Sequence, residues 1–140
     1  MSRAHELSWA AGFFDGEGYV SIVKRDYKGY TGFYIRIGIN HVNPDPLKEM
    51  VRLFGGNLTY QNPEKVAGNR HPRTQWKLTT KQAESALIQM LPYFKNKNKA
   101  AEIALKLQAS IGNHGQKRTV ETTIYQALLQ DQLKKLNSLD

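Results

Sequence analysis

Apolar positions change their period along this chain, and the changes mark out its elements. From Leu7 to Gly18 the residues read L-S-W-A-A-G-F-F-D-G-E-G. At helical spacing one edge is bulky, with Leu7, Ala10, Phe13 and Phe14, and suits a core. The other edge is small, with Ser8, Ala11, Gly12 and then Asp15 or Gly16. Small residues three and four apart let a second helix backbone approach closely. The two glycines of Asp15-Gly16-Glu17-Gly18 end the helix. Both carboxylates then sit at a helix C-terminus, where the macrodipole disfavours anions. Breaking a local rule in this way marks functional sites, and a bound divalent cation would compensate.

From Tyr19 to Asp26 the period becomes two, with Val20 and Ile22 on one face and Ser21, Val23 and Arg25 on the other. Tyr27-Lys28-Gly29-Tyr30 reads as a turn. From Gly32 to Asn40 the alternation is clean. Phe33, Ile35, Ile37 and Ile39 face one way; Tyr34, Arg36, Gly38 and Asn40 face the other. The two runs predict an antiparallel hairpin with one buried face. Asn43 or Asp45 caps a second helix with proline just inside it. Leu47, Met50, Val51 and Phe54 form its apolar stripe, and Gly55-Gly56 stops it.

Residues 57–62 and 73–80 predict a third and a fourth strand around a polar loop at 63–71. Trp76 and Leu78 face the core; Arg73, Gln75 and Lys77 face away. Alternation leaves open whether Tyr60 or Gln61 joins them. Helices follow at 81–91, ended by Pro92, and at 97–111, where Ile103, Leu105 and Leu107 are candidates for burial. After a loop at 112–118, Thr119 caps a last helix with Glu121 in its first turn. This order predicts an α+β fold, αββαββα, with one four-stranded antiparallel sheet and helices on one face.

At 140 residues the chain is expected to form one domain, 1–140. The run D-G-E-G occurs once. The net charge of +8 points to a polyanionic partner. Charge alone does not separate DNA from RNA or an anionic membrane. No apolar run approaches a spanning helix, and the N-terminus has neither a signal-peptide pattern nor the Arg- and Ser-rich character of a transit peptide. With no cysteine, disulfides and thiolate metal sites are excluded. The expectation is an intracellular protein without a membrane partner.

The open sheet face carries Ser21, Arg25, Tyr34, Arg36 and Asn40 from the first hairpin and Arg73, Gln75 and Lys77 from the second. Tyr27, Lys28 and Arg70 lie in the turns. Arg binds guanine bidentately, Gln or Asn binds adenine, and a twisted β-ribbon fits the DNA major groove. A solvated face also favours Arg and Lys, but this one is almost free of acids, with Asp26 and Glu64 near the turns. Lys117 and Arg118 suit phosphate contacts. His5, His71 and His114 have no metal-ligand spacing, and there is neither a nucleophile–base triad nor a G-x-x-x-x-G-K-[ST] phosphate loop.

Ala10 to Gly18 resembles, without a gap, the nine-residue signature of the LAGLIDADG homing endonucleases. Ala10 stands for the leading Leu, Phe13-Phe14 for the central apolar pair, and Glu17 for the second Asp, a common alternative in the family. Lys95-Asn96-Lys97-Asn98-Lys99, after Pro92-Tyr93-Phe94, is similar to the family's basic segment. The resemblance implies a saddle-shaped sheet over the major groove. It implies a homodimer, as for other single-motif chains, with Ser8, Ala11, Gly12 and Asp15 at its seam.

The same resemblance implies site-specific cleavage of double-stranded DNA at a long pseudo-palindromic target, leaving 3′ overhangs, in genomic or organellar DNA. Mg²⁺ or Mn²⁺ is the implied cofactor; Mg²⁺ takes few protein carboxylates and can supply the activated water. Glu17 is the implied metal ligand and catalytic residue, with the Gly16 carbonyl as a second ligand. Asp15 aligns with the first Asp of the signature and is expected to be structural. Lys97 is the implied catalytic lysine, with Lys95 and Lys99 weaker candidates. His41 aligns with a polar position, often Gln, that orders active-site water. An RNA-splicing maturase and a non-cleaving DNA-binding protein on the same fold are the alternative readings.

Overall fold

The computed structural model describes residues 2–61, 72–111 and 119–139. Its elements are α1 (Arg3–Glu17), β1 (Gly18–Tyr27), β2 (Tyr30–His41), α2 (Pro44–Phe54), β3 (Asn57–Gln61), β4 (Arg73–Thr79), α3 (Thr80–Met90), a 3-10 turn at Leu91–Tyr93, α4 (Asn98–Ala109) and α5 (Val120–Asn137). Among the described residues the four strands form one antiparallel sheet in the order β1-β2-β4-β3. The α+β fold and the αββαββα order are as expected, the last helical part being a run of three helices.

Local chemistry sets the boundaries. α1 begins at Arg3 rather than Leu7 because Ser2 caps it, its Oγ accepting the His5 N–H at 3.2 Å. Of the two candidate caps for α2, Asn43 serves: its Oδ1 accepts the Asp45 N–H at 3.0 Å, with Pro44 just inside. Thr119 caps α5 by accepting the Thr122 N–H at 3.1 Å.

The apolar alternation becomes rows of opposed residues. Val20 lies opposite Ile37, Ile22 opposite Ile35, and Ile39 opposite Trp76. All are buried, and Leu47 and Met50 of α2, Leu87 and Met90 of α3, and Leu129 and Leu133 of α5 close over them. Each such side chain contributes about 1.5–3 kcal/mol on full burial, so this sheet–helix seam is the main source of stability. Trp76 keeps its polar atom satisfied, donating from Nε1 to the Gly55 carbonyl at 2.9 Å.

α4 departs from expectation. Of Ile103, Leu105 and Leu107, only Leu107 is fully buried; Ile103 and Leu105 are half-buried. Ala100, Ala101 and Ala104 take the inner face instead. Small side chains let this helix lie close to its neighbours, which turns its bulkier residues to the flanks.

The edge strand β1 is covered by α5. Gln130 Nε2 donates to the Ile22 carbonyl at 3.0 Å, and Asn137 Nδ2 to the Val20 carbonyl at 3.1 Å. Two edge carbonyls thereby gain partners, and the edge is blocked from pairing with another chain. The register also settles β3: Gln61 lies opposite Arg73 and joins the open face, whereas Tyr60 lies opposite Thr74 on the helix side. Among the described residues no helix is long and apolar enough to cross a membrane.

Candidate nucleic-acid interface and active site

The face away from the helices is built by strand alternation alone. Tyr19, Ser21, Val23 and Arg25 of β1 stand opposite Gly38, Arg36, Tyr34 and Gly32 of β2. Asn40 stands opposite Gln75, and Gly38 opposite Lys77. Asn57, Thr59 and Gln61 continue the face on β3. Among the described residues this face has no acidic side chain, and it carries Arg25, Arg36, Arg73 and Lys77. Asp26 is turned to the other side, where its Oδ1 accepts the Thr31 hydroxyl at 3.0 Å. A surface of this composition attracts phosphate backbones and offers base-edge donors and acceptors.

Several of these side chains hold one another. Arg36 Nη2 donates to Tyr34 Oη at 3.0 Å, and the Arg25 guanidinium lies 5.1 Å from the Tyr34 ring centre. Ser21 Oγ donates to the Arg36 carbonyl at 3.4 Å. Tyr34 is therefore a platform that fixes two cations on this face. Tyr19 is a member of the face that the alternation also marks but that was not among the expected contacts. Gln75 Nε2 makes a long hydrogen bond of 3.5 Å to its hydroxyl. Burial holds the Tyr19 phenol above the usual tyrosine value, and the charge of Arg36 and the Gln75 bond pull it partly back.

At the end of α1 the chain enters β1 at Gly18, whose backbone is extended, with φ −85°. Glycine is needed there for space rather than for freedom of rotation: a Cβ would stand 2.6 Å from the Phe14 ring. That close approach joins the helix to the sheet and leaves Glu17 exposed at the junction of α1 with β1. Among the described residues the Glu17 side chain makes no hydrogen bond or ion pair, at a helix end where its charge is disfavoured.

Asp15, two residues earlier, is fully engaged. Its Oδ2 accepts the Lys95 N–H at 2.8 Å, and its Oδ1 accepts those of Asn96 at 3.2 Å and Lys97 at 2.9 Å. Asn96 Nδ2 returns a bond to the Asp15 carbonyl at 3.3 Å. The two carboxylates of the motif thus have separate tasks, and α1 and the basic segment form one unit. That segment, Lys95 to Lys99, lines a cleft of about 400 Å³ with Leu136, Asn137 and Leu139 at the end of α5.

Among the described residues no group of three or more His, Asp or Glu is placed to hold a metal ion. Among the described residues the end of α1 therefore offers one unengaged carboxylate, Glu17, with the Gly16 carbonyl in the last helical turn. Hard oxygen donors in so small a number fit Mg²⁺, which keeps several waters and is usually completed by phosphate oxygens.

Other expected residues are placed as follows. His41 lies opposite Thr74, on the helix side of β2. Its ring meets Phe13 edge-on at 5.7 Å, and its Nδ1 is 3.0 Å from the Asn43 amide nitrogen. Of the four seam residues, Ser8 and Gly12 are exposed, whereas Ala11 is fully buried in its own chain and Asp15 is turned to the basic segment. Ala11 and Asp15 therefore leave the exposed side of α1 to Ser8, Trp9, Gly12 and Gly16. Lys28 sits in the β1–β2 turn, and Tyr27 is placed by its backbone opposite Tyr30. Arg70, His71, His114, Lys117 and Arg118 lie outside the described residues.

No protein-family model matches this sequence, and no curated protein does. Solved structures do match. One is the homing endonuclease I-CvuI, in complex with I-CreI target DNA: TM-score 0.78, 17% identity, 95% of this chain and 82% of that one. A second is an archaeal intron-encoded homing endonuclease complexed with DNA: TM-score 0.79, 12% identity, 96% and 86%. A third is the LAGLIDADG homing endonuclease I-LtrWI bound to target DNA: TM-score 0.68, 16% identity, 89% of this chain but 42% of that one. At these identities the likeness is one of architecture, and it extends from the motif helix to the last helix: the chain has the LAGLIDADG homing-endonuclease fold.

Proposed function

We propose that this chain is a metal-dependent, site-specific DNA endonuclease that acts as a homodimer. One observation carries the reading: the sheet face, cationic and free of acids among the described residues, begins on β1 directly after an exposed carboxylate, Glu17, that has no side-chain partner among them. The similar solved structures are homing endonucleases bound to DNA, which supports the same substrate here.

In this reading Arg25, Arg36, Arg73 and Lys77 neutralise phosphates, while Asn40, Gln75 and Gln61 meet base edges in the major groove. Glu17 holds Mg²⁺ or Mn²⁺, which supplies charge stabilisation and an activated water when bound. Lys97 stands by the scissile phosphate and stabilises its growing charge. His41, held by Phe13 and Asn43, orders solvent at the end of β2.

The exposed side of α1 supports the homodimer. A Cβ on Gly12 or Gly16 would meet nothing within 4 Å. Glycine inside a helix costs about 1 kcal/mol relative to alanine, and nothing among the described residues requires it there. A partner helix packed on Ser8, Gly12 and Gly16 accounts for that cost. Two such subunits bring two copies of Glu17 to a two-fold axis, so that each strand is cut once, leaving 3′ overhangs at a long pseudo-palindromic site. The working place is wherever genomic or organellar DNA is accessible.

The test is incubation with a library of candidate duplex sites in Mg²⁺ and, separately, in Ca²⁺. Cuts in Mg²⁺ alone, with 3′ overhangs on sequencing, are expected. Tight duplex binding without cleavage in Mg²⁺, Mn²⁺ or Ca²⁺ removes the endonuclease and leaves the DNA-binding regulator. Selective binding and splicing of an intron RNA instead supports the maturase.

A further inference from the structure

We infer that Asp15 is a positioning residue for the basic segment, acting on cleavage through Lys97 rather than through metal or DNA. The inference rests on the endonuclease reading. Three consecutive backbone N–H groups, from Lys95 to Lys97, converge on one carboxylate at 2.8 to 3.2 Å. Such a nest of amides binds an anion, and here the anion belongs to the motif helix. Lys97 is the N-cap position of α4, yet its own side chain makes no cap hydrogen bond. From a different helix Asp15 accepts the amides of the three residues that lead into α4 and sets its charge at that N-terminus, where a negative charge is favoured.

The clamp has a second fixed point. Phe94, the residue before the segment, is nearly buried, and its ring centre lies 5.7 Å from that of Phe14 on α1. Phe14 and Asp15 are adjacent, so the segment is held by an apolar contact and by a charged one on the same turn. Glu17 follows two residues later. The carboxylate that would hold metal and the lysine that would meet phosphate therefore take their spacing from one short stretch of helix. Displacing a catalytic group by about 1 Å is enough to cost about 100-fold in rate.

Asp15→Asn keeps the shape and removes the charge that gathers the three amides. In single-turnover cleavage of a cognate duplex in Mg²⁺ it lowers the rate about 100-fold. Duplex affinity in Ca²⁺ stays within about threefold. In a Lys97→Met background the same change costs less than about threefold, because the group it positions is gone. Equal losses in both backgrounds, or parallel loss of affinity, overturn the inference while the endonuclease reading stands.

Hydrogen exchange reads the clamp without any cleavage. Amides of Lys95, Asn96 and Lys97 lose protection in Asp15→Asn while those of α1 and α3 keep theirs; unchanged protection at the three amides also overturns it. A chain that never cuts fails the function, and exchange still decides the clamp. If Asp15→Asn does not fold, Asp15→Glu is substituted; it keeps the charge, shifts the segment by one methylene, and lowers rate without lowering affinity.

Discussion

Gly38 lies directly against Tyr19 across the first hairpin. A Cβ on Gly38 would stand 2.7 Å from Tyr19 Oη and 2.5 Å from the Trp76 carbonyl oxygen. The missing side chain lets a tyrosine lie across the open face of the sheet and reach Gln75. Gly38→Ala cannot be absorbed by rotating the tyrosine alone, since the Trp76 oxygen is backbone. It should destabilise the chain by about 2 kcal/mol, read as a lower urea midpoint with an unchanged m-value. A variant as stable as the wild type would show that the sheet yields to a Cβ at Gly38 without cost.

Glu17 and Asp15 should part company on mutation. Glu17→Gln keeps the volume and removes the free charge. It should slow Mg²⁺-dependent cleavage by about 1,000-fold, roughly 4 kcal/mol, with duplex affinity in Ca²⁺ within about threefold. Collapse of binding together with cleavage would make Glu17 a structural residue.

Gly12 gives the sharpest test of the seam. Within one chain a Cβ there meets nothing within 4 Å, and the change from glycine improves helix propensity by about 1 kcal/mol. Gly12→Leu should therefore leave the fold as stable or more so, yet turn the proposed dimer into a monomer by sedimentation equilibrium. A stable, active dimer of this variant would refute the helix–helix seam.

Tyr19 gives the chain an alkaline sensitivity of definite sign. Burial raises its pKa in the folded chain, whereas the unfolded chain releases the proton near the ordinary value, about 10. Above that pH the unfolded state binds fewer protons than the folded one. The stability from the neutral phenol is full below the unfolded value and is lost as pH climbs through the folded one. Urea unfolding from about pH 8 to about pH 11 should show a steeper loss in the wild type than in Tyr19→Phe; equal slopes would place the phenol in water.

The sequence alone determined the elements and their faces. Period two from Tyr19 to Asn40 marked the buried rows of Val20, Ile22, Ile35, Ile37 and Ile39, because a strand turns alternate side chains to opposite sides. The same rule placed Arg25, Arg36, Gln75 and Lys77 on the open face, and the spacing from Ala10 to Gly18 marked the acidic end of α1. These are properties of neighbours along the chain, and local sterics fix them.

Only the tertiary structure decided what distant segments do to one another. It paired Gln61 rather than Tyr60 with Arg73, and it chose Ala100, Ala101 and Ala104 over Ile103 and Leu105 for the inner face of α4. It turned Ala11 into the core, and it gave the Asp15 carboxylate to amides eighty and more positions away. A backbone N–H looks the same at every residue in a sequence. Which carboxylate it meets depends on how helices pack over a sheet, and no local period carries that information.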